Sequence, residues 1–206
     1  MYNTKDKILN ASIRLFNEYG VASVRLQQIA DETGISVGNL AYHYKNKEAI
    51  LSSVYDRIFN EFSEILSKYL QNPSFLDFDV QVSAYFNFFE DYQFYISDLF
   101  SKEHAVPEIK LKWQQFMNKM ILQINRRIDF YVSQGDLRPE PSKDTYLIVS
   151  EAMWMSIVFW IPQQTMRNKP ISEKRYKEAL WSHLKPYFTQ KGNAQFSDVI
   201  LPILVK

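Results

Sequence analysis

The sequence predicts an all-α protein: an N-terminal three-helix unit followed by a larger helical domain. Three observations predict this. Apolar residues recur at helical spacing along most of the chain, and no alternating pattern runs long enough for a sheet. Glycine is scarce, five in 206 residues, and Gly20, Gly34 and Gly38 all fall before residue 40. Hydrophobic residues make up 46% and charged residues 23%, which suits a chain with a sizeable core and not a disordered one.

The elements follow in order. Thr4 is placed to cap a first helix carrying Ile8, Ala11, Leu15, Phe16 and Tyr19 on one side, and Gly20 stops it. A short helix covers Leu26–Thr33 and breaks at Gly34. Ser36 caps another short helix to about residue 44. Asn46 caps a long helix bearing Ile50, Val54, Ile58, Phe62, Ile65 and Tyr69, which Asn72, Pro73 and Ser74 end. One long helix is expected over 79–103, another over 107–133 and a third over 143–164. Ser172 caps a last long helix to about residue 187, and the apolar tail 199–205 finds no place in the scheme. This gives two domains, 1–46 and 47–206.

Composition removes several classes of function. Cysteine is absent, which excludes disulfides, thiolate catalysis and thiolate metal sites. No glycine-rich phosphate loop and no nucleophile elbow occur, and the histidines are scattered at His43, His104 and His183. Glu103, His104 and Glu108 read as a solvated helix end. No enzyme, cofactor or metal is therefore expected. The polar start after Met1 does not resemble a signal peptide. The apolar stretch 152–161 ends at Pro162, short of the roughly 20 residues of a spanning helix, so it reads as protein core and not as a membrane contact. A cytoplasmic location is the expectation.

Bulk charge is uninformative. The chain carries 24 basic and 23 acidic residues. The first 50 residues share that balance, with Lys5, Lys7, Arg14, Arg25, Lys45 and Lys47 against Asp6, Glu18, Asp31, Glu32 and Glu48. Any case for a nucleic-acid partner rests on local placement.

That placement is found between Leu26 and Tyr44, LQQIADETGISVGNLAYHY. Ala30 lets two helices cross closely, Gly34 supplies a tight turn, and Ile35, Leu40 and Tyr44 can face inward. This is the spacing of a helix-turn-helix. The run from Ser36 to Leu40, then Tyr42, His43, Tyr44, Lys45, Asn46, Lys47 and Glu48, closely resembles the recognition-helix signature of the TetR family. The stretch from Leu15 to Gly20 is similar to that family's first-helix ending. The resemblance covers roughly the first 50 residues; the rest is similar in length and helical character.

The resemblance implies a homodimeric transcriptional regulator, in most members a repressor that a small molecule releases from operator DNA. The helix opened by Ser36 would enter the major groove with Val37, Gly38 and Asn39 near the base edges. Tyr42, His43 and Lys47, with Arg25 and Gln28 from the preceding helix, become phosphate contacts. The chain departs from the family pattern in two places. Ala41 stands where the first tyrosine of a pair is usual. Arg25 stands where Ser or Thr usually caps the second helix, leaving Ser23 as an alternative cap.

The larger domain is rich in aromatics between Phe75 and Phe100. Such a stripe is ordinarily core, and the resemblance adds an effector pocket, for which Phe89, Tyr92, Trp113, Phe116 and Trp154 are the candidates. An apolar or aromatic effector suits them. The helix over 143–164 is apolar nearly all round and needs cover on both sides. A second copy, through a four-helix interface around Met153 and Leu180, is one source of that cover; a monomer with one deeply buried helix is the other. A helical ligand-binding or adaptor protein without DNA binding is the competing function.

Overall fold

The computed structural model describes residues 3–68, 73–99 and 107–205. Tyr69, Phe100, Glu103 and His104 lie outside them. The helices are α1 (Thr4–Tyr19), α2 (Leu26–Thr33), α3 (Val37–His43), α4 (Lys47–Lys68), α5 (Phe75–Asp91) and α6 (Gln93–Leu99). They continue as α7 (Pro107–Ser133), α8 (Thr145–Met166), α9 (Glu173–Leu184), α10 (Gln190–Gln195) and α11 (Leu201–Val205). The described residues form no sheet, only an isolated bridge between Leu137 and Phe188.

Local signals set most boundaries. Ser36 Oγ accepts the Asn39 amide at 3.1 Å and Asn46 Oδ1 accepts the Ala49 amide at 2.9 Å, so both act as the caps expected. Gly34 ends α2 in the left-handed region, φ 71°. The first helix is capped one residue earlier than expected: Asn3 Oδ1, not Thr4, takes the amides of Lys5 and Asp6. Ser172 opens α9, but that helix ends at Leu184 where a 3-10 turn begins.

One further expectation is corrected, and one unassigned segment is placed. Within the described residues, the single helix expected over 79–103 is two. It starts earlier, at Phe75 behind a Ser74 cap, and breaks at Tyr92. The break has a distant cause. Asn17 on α1 donates Nδ2 to the Asp91 carbonyl at 2.8 Å, and its Oδ1 accepts the Phe94 amide at 2.9 Å. One side-chain amide thus serves both backbone groups at the interruption. The tail 199–205 is helical. A π-helical turn, Phe196–Ile200, leads into α11, and Phe196, Ile200 and Leu204 bury one face at four-residue spacing.

The chain forms two compact units. One comprises the described residues of Met1–Ser63 and Asp91–Ile109, the other those of Glu64–Glu90 and Lys110–Lys206. In the first, Ile8, Phe16, Ile29, Ala30, Leu40, Ile50 and Val54 are almost wholly buried, and Phe94 lies against Phe16 with ring centres 5.4 Å apart. In the second, Phe75, Phe78, Phe188 and Phe196 surround Trp181 at 5.1 to 6.3 Å. The aromatic content of the chain is therefore partly explained as packing. Trp181 also donates its indole N–H to buried Asp79 at 3.0 Å, and Lys177 Nζ reaches the other carboxylate oxygen at 2.8 Å.

Candidate nucleic-acid interface

The candidate interface lies in the first unit, on the outer side of α2 and α3. Leu40 is fully buried and Tyr44 nearly so; they fix α3 from behind. The Ile35 amide bonds back to the Ala30 carbonyl at 3.1 Å, closing the turn at Gly34. With its inner side anchored, α3 presents Gly38, Asn39 and Tyr42 to solvent, Tyr42 at 85% exposure. Val37 and His43 are half-buried, and the Tyr42 ring meets the His43 ring edge-on at 5.3 Å. Ser36 has its hydroxyl engaged as the cap.

Gly38 is informative because nothing inside the chain asks for it. Its φ is not positive, and an added Cβ would meet only Ser36 Oγ, at 3.9 Å. A glycine in a helix costs roughly 1 kcal/mol against alanine. The Asn39 side chain makes no hydrogen bond among the described residues, and its amide faces solvent.

On α2, Arg25 occupies the N-cap position without a side-chain cap hydrogen bond, and Ser23 lies outside the cap. Its backbone amide donates to Gln28 Oε1 at 2.8 Å. That bond occupies the carbonyl end of Gln28 and leaves its amide nitrogen outward. The Arg25 side chain is exposed and meets no carboxylate among the described residues.

Lys47 departs from expectation. Its ammonium donates to the carbonyls of Val21 at 2.9 Å, Ala22 at 3.3 Å and Val24 at 3.0 Å. An ammonium has three N–H donors, and all three are committed to the turn between α1 and α2. None remains for a phosphate.

The chain matches two family models, one described as bacterial regulatory proteins of the TetR family over residues 8–54, the other as a TetR bacterial transcriptional repressor over residues 59–196. It belongs to the TetR family. Among relatives of this TetR-family chain is the HTH-type transcriptional regulator YerO of Bacillus subtilis, 31% identical over 142 residues. That match covers 66% of this chain and 48% of YerO, so it spans about half the relative's length. A TetR-family regulator from Marinobacter aquaeolei has a similar fold, with TM-score 0.78, 25% identity and coverage of 95% of this chain and 97% of that one. The fold of SmeT, solved with triclosan, is also similar, with TM-score 0.64, 20% identity and coverage of 91% and 92%. SmeT is the repressor of a Stenotrophomonas maltophilia multidrug efflux pump.

The five candidate effector residues are only partly brought together. Trp113 on α7 and Trp154 on α8 face each other with ring centres 6.5 Å apart, and Phe159 meets Trp154 at 6.2 Å. The Trp154 indole N–H is buried without a hydrogen-bond partner among the described residues. Phe116 is half-buried on α7, one turn from Trp113. Phe89 is buried, edge-on to Phe88 at 5.1 Å. Tyr92 belongs to the first unit, where its hydroxyl donates to Glu61 Oε2 at 2.7 Å. Burial and this carboxylate hold the Tyr92 hydroxyl well above its ordinary pKa.

Sequence reasoning passed over Gln123, Arg126 and Arg127, which line a cavity of about 300 Å³ in the second unit. Their spacing along α7 could have flagged them as one face, but polar residues on a helix ordinarily read as solvated.

Proposed function

We propose that this chain is a transcriptional repressor that binds operator DNA as a homodimer and lets go when a small molecule binds its larger domain. One observation carries the reading: α3 is anchored by Leu40 and Tyr44 while its outer side offers a bare Gly38, an uncommitted Asn39 amide and an exposed Tyr42. Gly38 lets the helix backbone approach the groove. Val37 and Asn39 read base edges. Tyr42, His43, Arg25 and the free amide nitrogen of Gln28 hold phosphates. Ser36 fixes the start of the helix, and Lys47 holds the α1–α2 turn. Residues 1–46 form the DNA-reading part, and residues 47–206 bind the effector and dimerise.

Repression is supported by the description of the family model that covers 59–196. A small-molecule ligand is supported by the SmeT complex with triclosan. The effector site takes Trp113, Phe116 and Trp154 as its centre, where the buried indole N–H of Trp154 offers a donor to an apolar or aromatic ligand. Phe89, in the same unit, is a further candidate for its wall.

The dimer uses the outer side of α8. By length and composition this 22-residue helix could cross a membrane. Its Tyr146, Met153, Ile157 and Ile161 are buried in the chain's own core, and Leu147, Ile148 and Met155 are exposed. A second copy covers these three in this reading, and no membrane is involved. Met153 and Leu180 are fully buried within the chain, so they support the interface from beneath. A regulator of this kind works in the cytoplasm, where the DNA is.

The test is a gel-shift of the purified chain against genomic fragments flanking its own gene, with sedimentation alongside. A specific complex and a mass of twice 24.4 kDa are expected. Absence of any sequence-specific complex overturns the regulator in favour of a helical adaptor.

A further inference from the structure

The 300 Å³ cavity between α5 and α7 has the size of a small-molecule site, and two of its polar groups are unexplained by the fold. The first is Gln123. Its Nε2 donates to the Leu66 carbonyl at 3.2 Å, which fixes the amide's orientation because the reverse would set two oxygens against each other. Its Oε1 is then a buried acceptor with no donor among the described residues. A buried acceptor left so is destabilising, and a hydrogen-bonding guest would relieve it.

The second is Arg126. It is exposed, it contributes to the cavity lining, and no carboxylate among the described residues pairs with it. Its neighbour Arg127 is different. Arg127 lies 2.9 Å from Asp77, donates to Gln81 Oε1 at 3.1 Å and sits 5.5 Å from the centre of the Phe78 ring. Its charge is balanced inside the fold. The lining therefore offers one uncompensated cation. Phe78, Tyr85, Ile124 and Phe130 supply the apolar surface. Residues three apart on a helix start about 5–6 Å apart on one face, so a single ring with substituents at opposite ends can reach both Gln123 and Arg126.

We propose that this cavity binds a phenolic carboxylate. The carboxylate pairs with Arg126, the ring lies on Phe78 and Phe130, and the phenol O–H donates to Gln123 Oε1. The site is separate from the Trp113–Trp154 cluster, and its occupancy does not depend on operator binding.

The test is calorimetry on the full chain without DNA, using 4-hydroxyphenylacetate as probe. Phenylacetate lacks the donor and 4-hydroxyphenylethanol lacks the charge. The first should bind saturably, and each of the other two about 3- to 10-fold more weakly, the range of a single net hydrogen bond. Arg126→Gln should abolish the preference for the carboxylate, and Gln123→Met the preference for the hydroxyl. Arg126 is exposed, so its variant stays folded and decides the matter even if Gln123→Met does not fold. No saturable binding, equal binding of the three probes, or an Arg126→Gln variant that keeps the carboxylate preference would overturn the proposal. Because no readout involves DNA, a failed gel-shift and a failed titration report on different claims.

Discussion

The ammonium of Lys47 lies 2.9 Å from the carbonyl oxygen of Val21, so the first residue of α4 holds the turn that delivers α2. Ala22 and Val24 complete the set of acceptors. A phosphate contact and a backbone clamp leave different marks. Loss of a phosphate contact lowers the salt slope of DNA binding by about one. Lys47→Ala should instead keep the wild-type slope, weaken binding to every sequence and lower unfolding stability by about 1–3 kcal/mol, because three carbonyls lose their donor. Affinity measured across a salt series, with a denaturant melt of the free protein, checks this. A slope reduced by one, with stability unchanged, would return Lys47 to the phosphate-contact role.

Gly38→Ala should separate folding from docking. The substitution meets open space, with only Ser36 Oγ at 3.9 Å. Helix propensity predicts a gain of up to about 1 kcal/mol in stability. If α3 seats against DNA as proposed, the same methyl group should weaken operator affinity. Equal operator affinity in the variant and the wild type would move the reading surface off Gly38.

Tyr42 and Asn39 should fail in different ways. Tyr42→Phe removes one hydroxyl from an 85% exposed ring and should weaken all DNA binding without altering preference. Asn39→Ala should relax preference at one base pair of the half-site by about 1–3 kcal/mol. Selection of binding sites from a random pool reads both effects.

Asp79 is the residue whose loss should be felt most in the second unit. It is 1% exposed and receives both the Lys177 ammonium and the Trp181 indole N–H. Asp79→Ala leaves buried Lys177 with only the half-exposed Glu173, 3.3 Å away, and deprives the Trp181 indole of its acceptor, at a cost of up to about 3–5 kcal/mol. Exchanging both, Asp79→Leu with Lys177→Met, should recover much of the loss. A double-mutant cycle by denaturant melts measures the coupling.

His183 predicts a pH dependence. Its Nε2 lies 2.8 Å from Ser156 Oγ, and burial lowers its pKa from the ordinary 6.5. Between the folded and unfolded values the unfolded chain binds more protons, so stability rises with pH through that window. His183 therefore favours folding above about pH 6.5, and its contribution falls as the pH drops below that. His183→Gln should flatten this part of the stability profile. An unchanged profile would assign the dependence to other groups.

What the sequence made legible was local. Gly34, Ser36 and Asn46 each act within a few residues of themselves, and the turn and caps they predict are present. The inward residues of the helix-turn-helix were readable for the same reason, since periodicity carries them. Other features depend on partners far along the chain. The break at Tyr92 has no local signal, because the side chain that serves it is Asn17, more than 70 residues away. Lys47 reads as a phosphate contact until the carbonyls that bind it are in place. The tail was unplaced because its anchor is also remote. Thr189 donates its hydroxyl to the Gly135 carbonyl at 2.6 Å, and Gly192 sits so close to the Asp136 carbonyl that a Cβ there would overlap its oxygen.

The bridge that Asn17 makes to Asp91 and Phe94 bears on how this regulator could be dismantled. The first compact unit is not one stretch of chain, for it takes in the described residues of Asp91–Ile109 after a long excursion. Phe94 and Tyr95 are part of its interior. A gene fragment cut after α4 would encode the reading helices but omit these two rings, leaving Phe16, Tyr55 and Phe59 facing water. Swapping heads between family members by a single crossover at the end of α4 would join Asn17 from one parent to an interrupted helix from the other. Chimeras that carry residues 91–96 with the donor head, or keep an asparagine at position 17, should express as soluble protein where the simple splice does not.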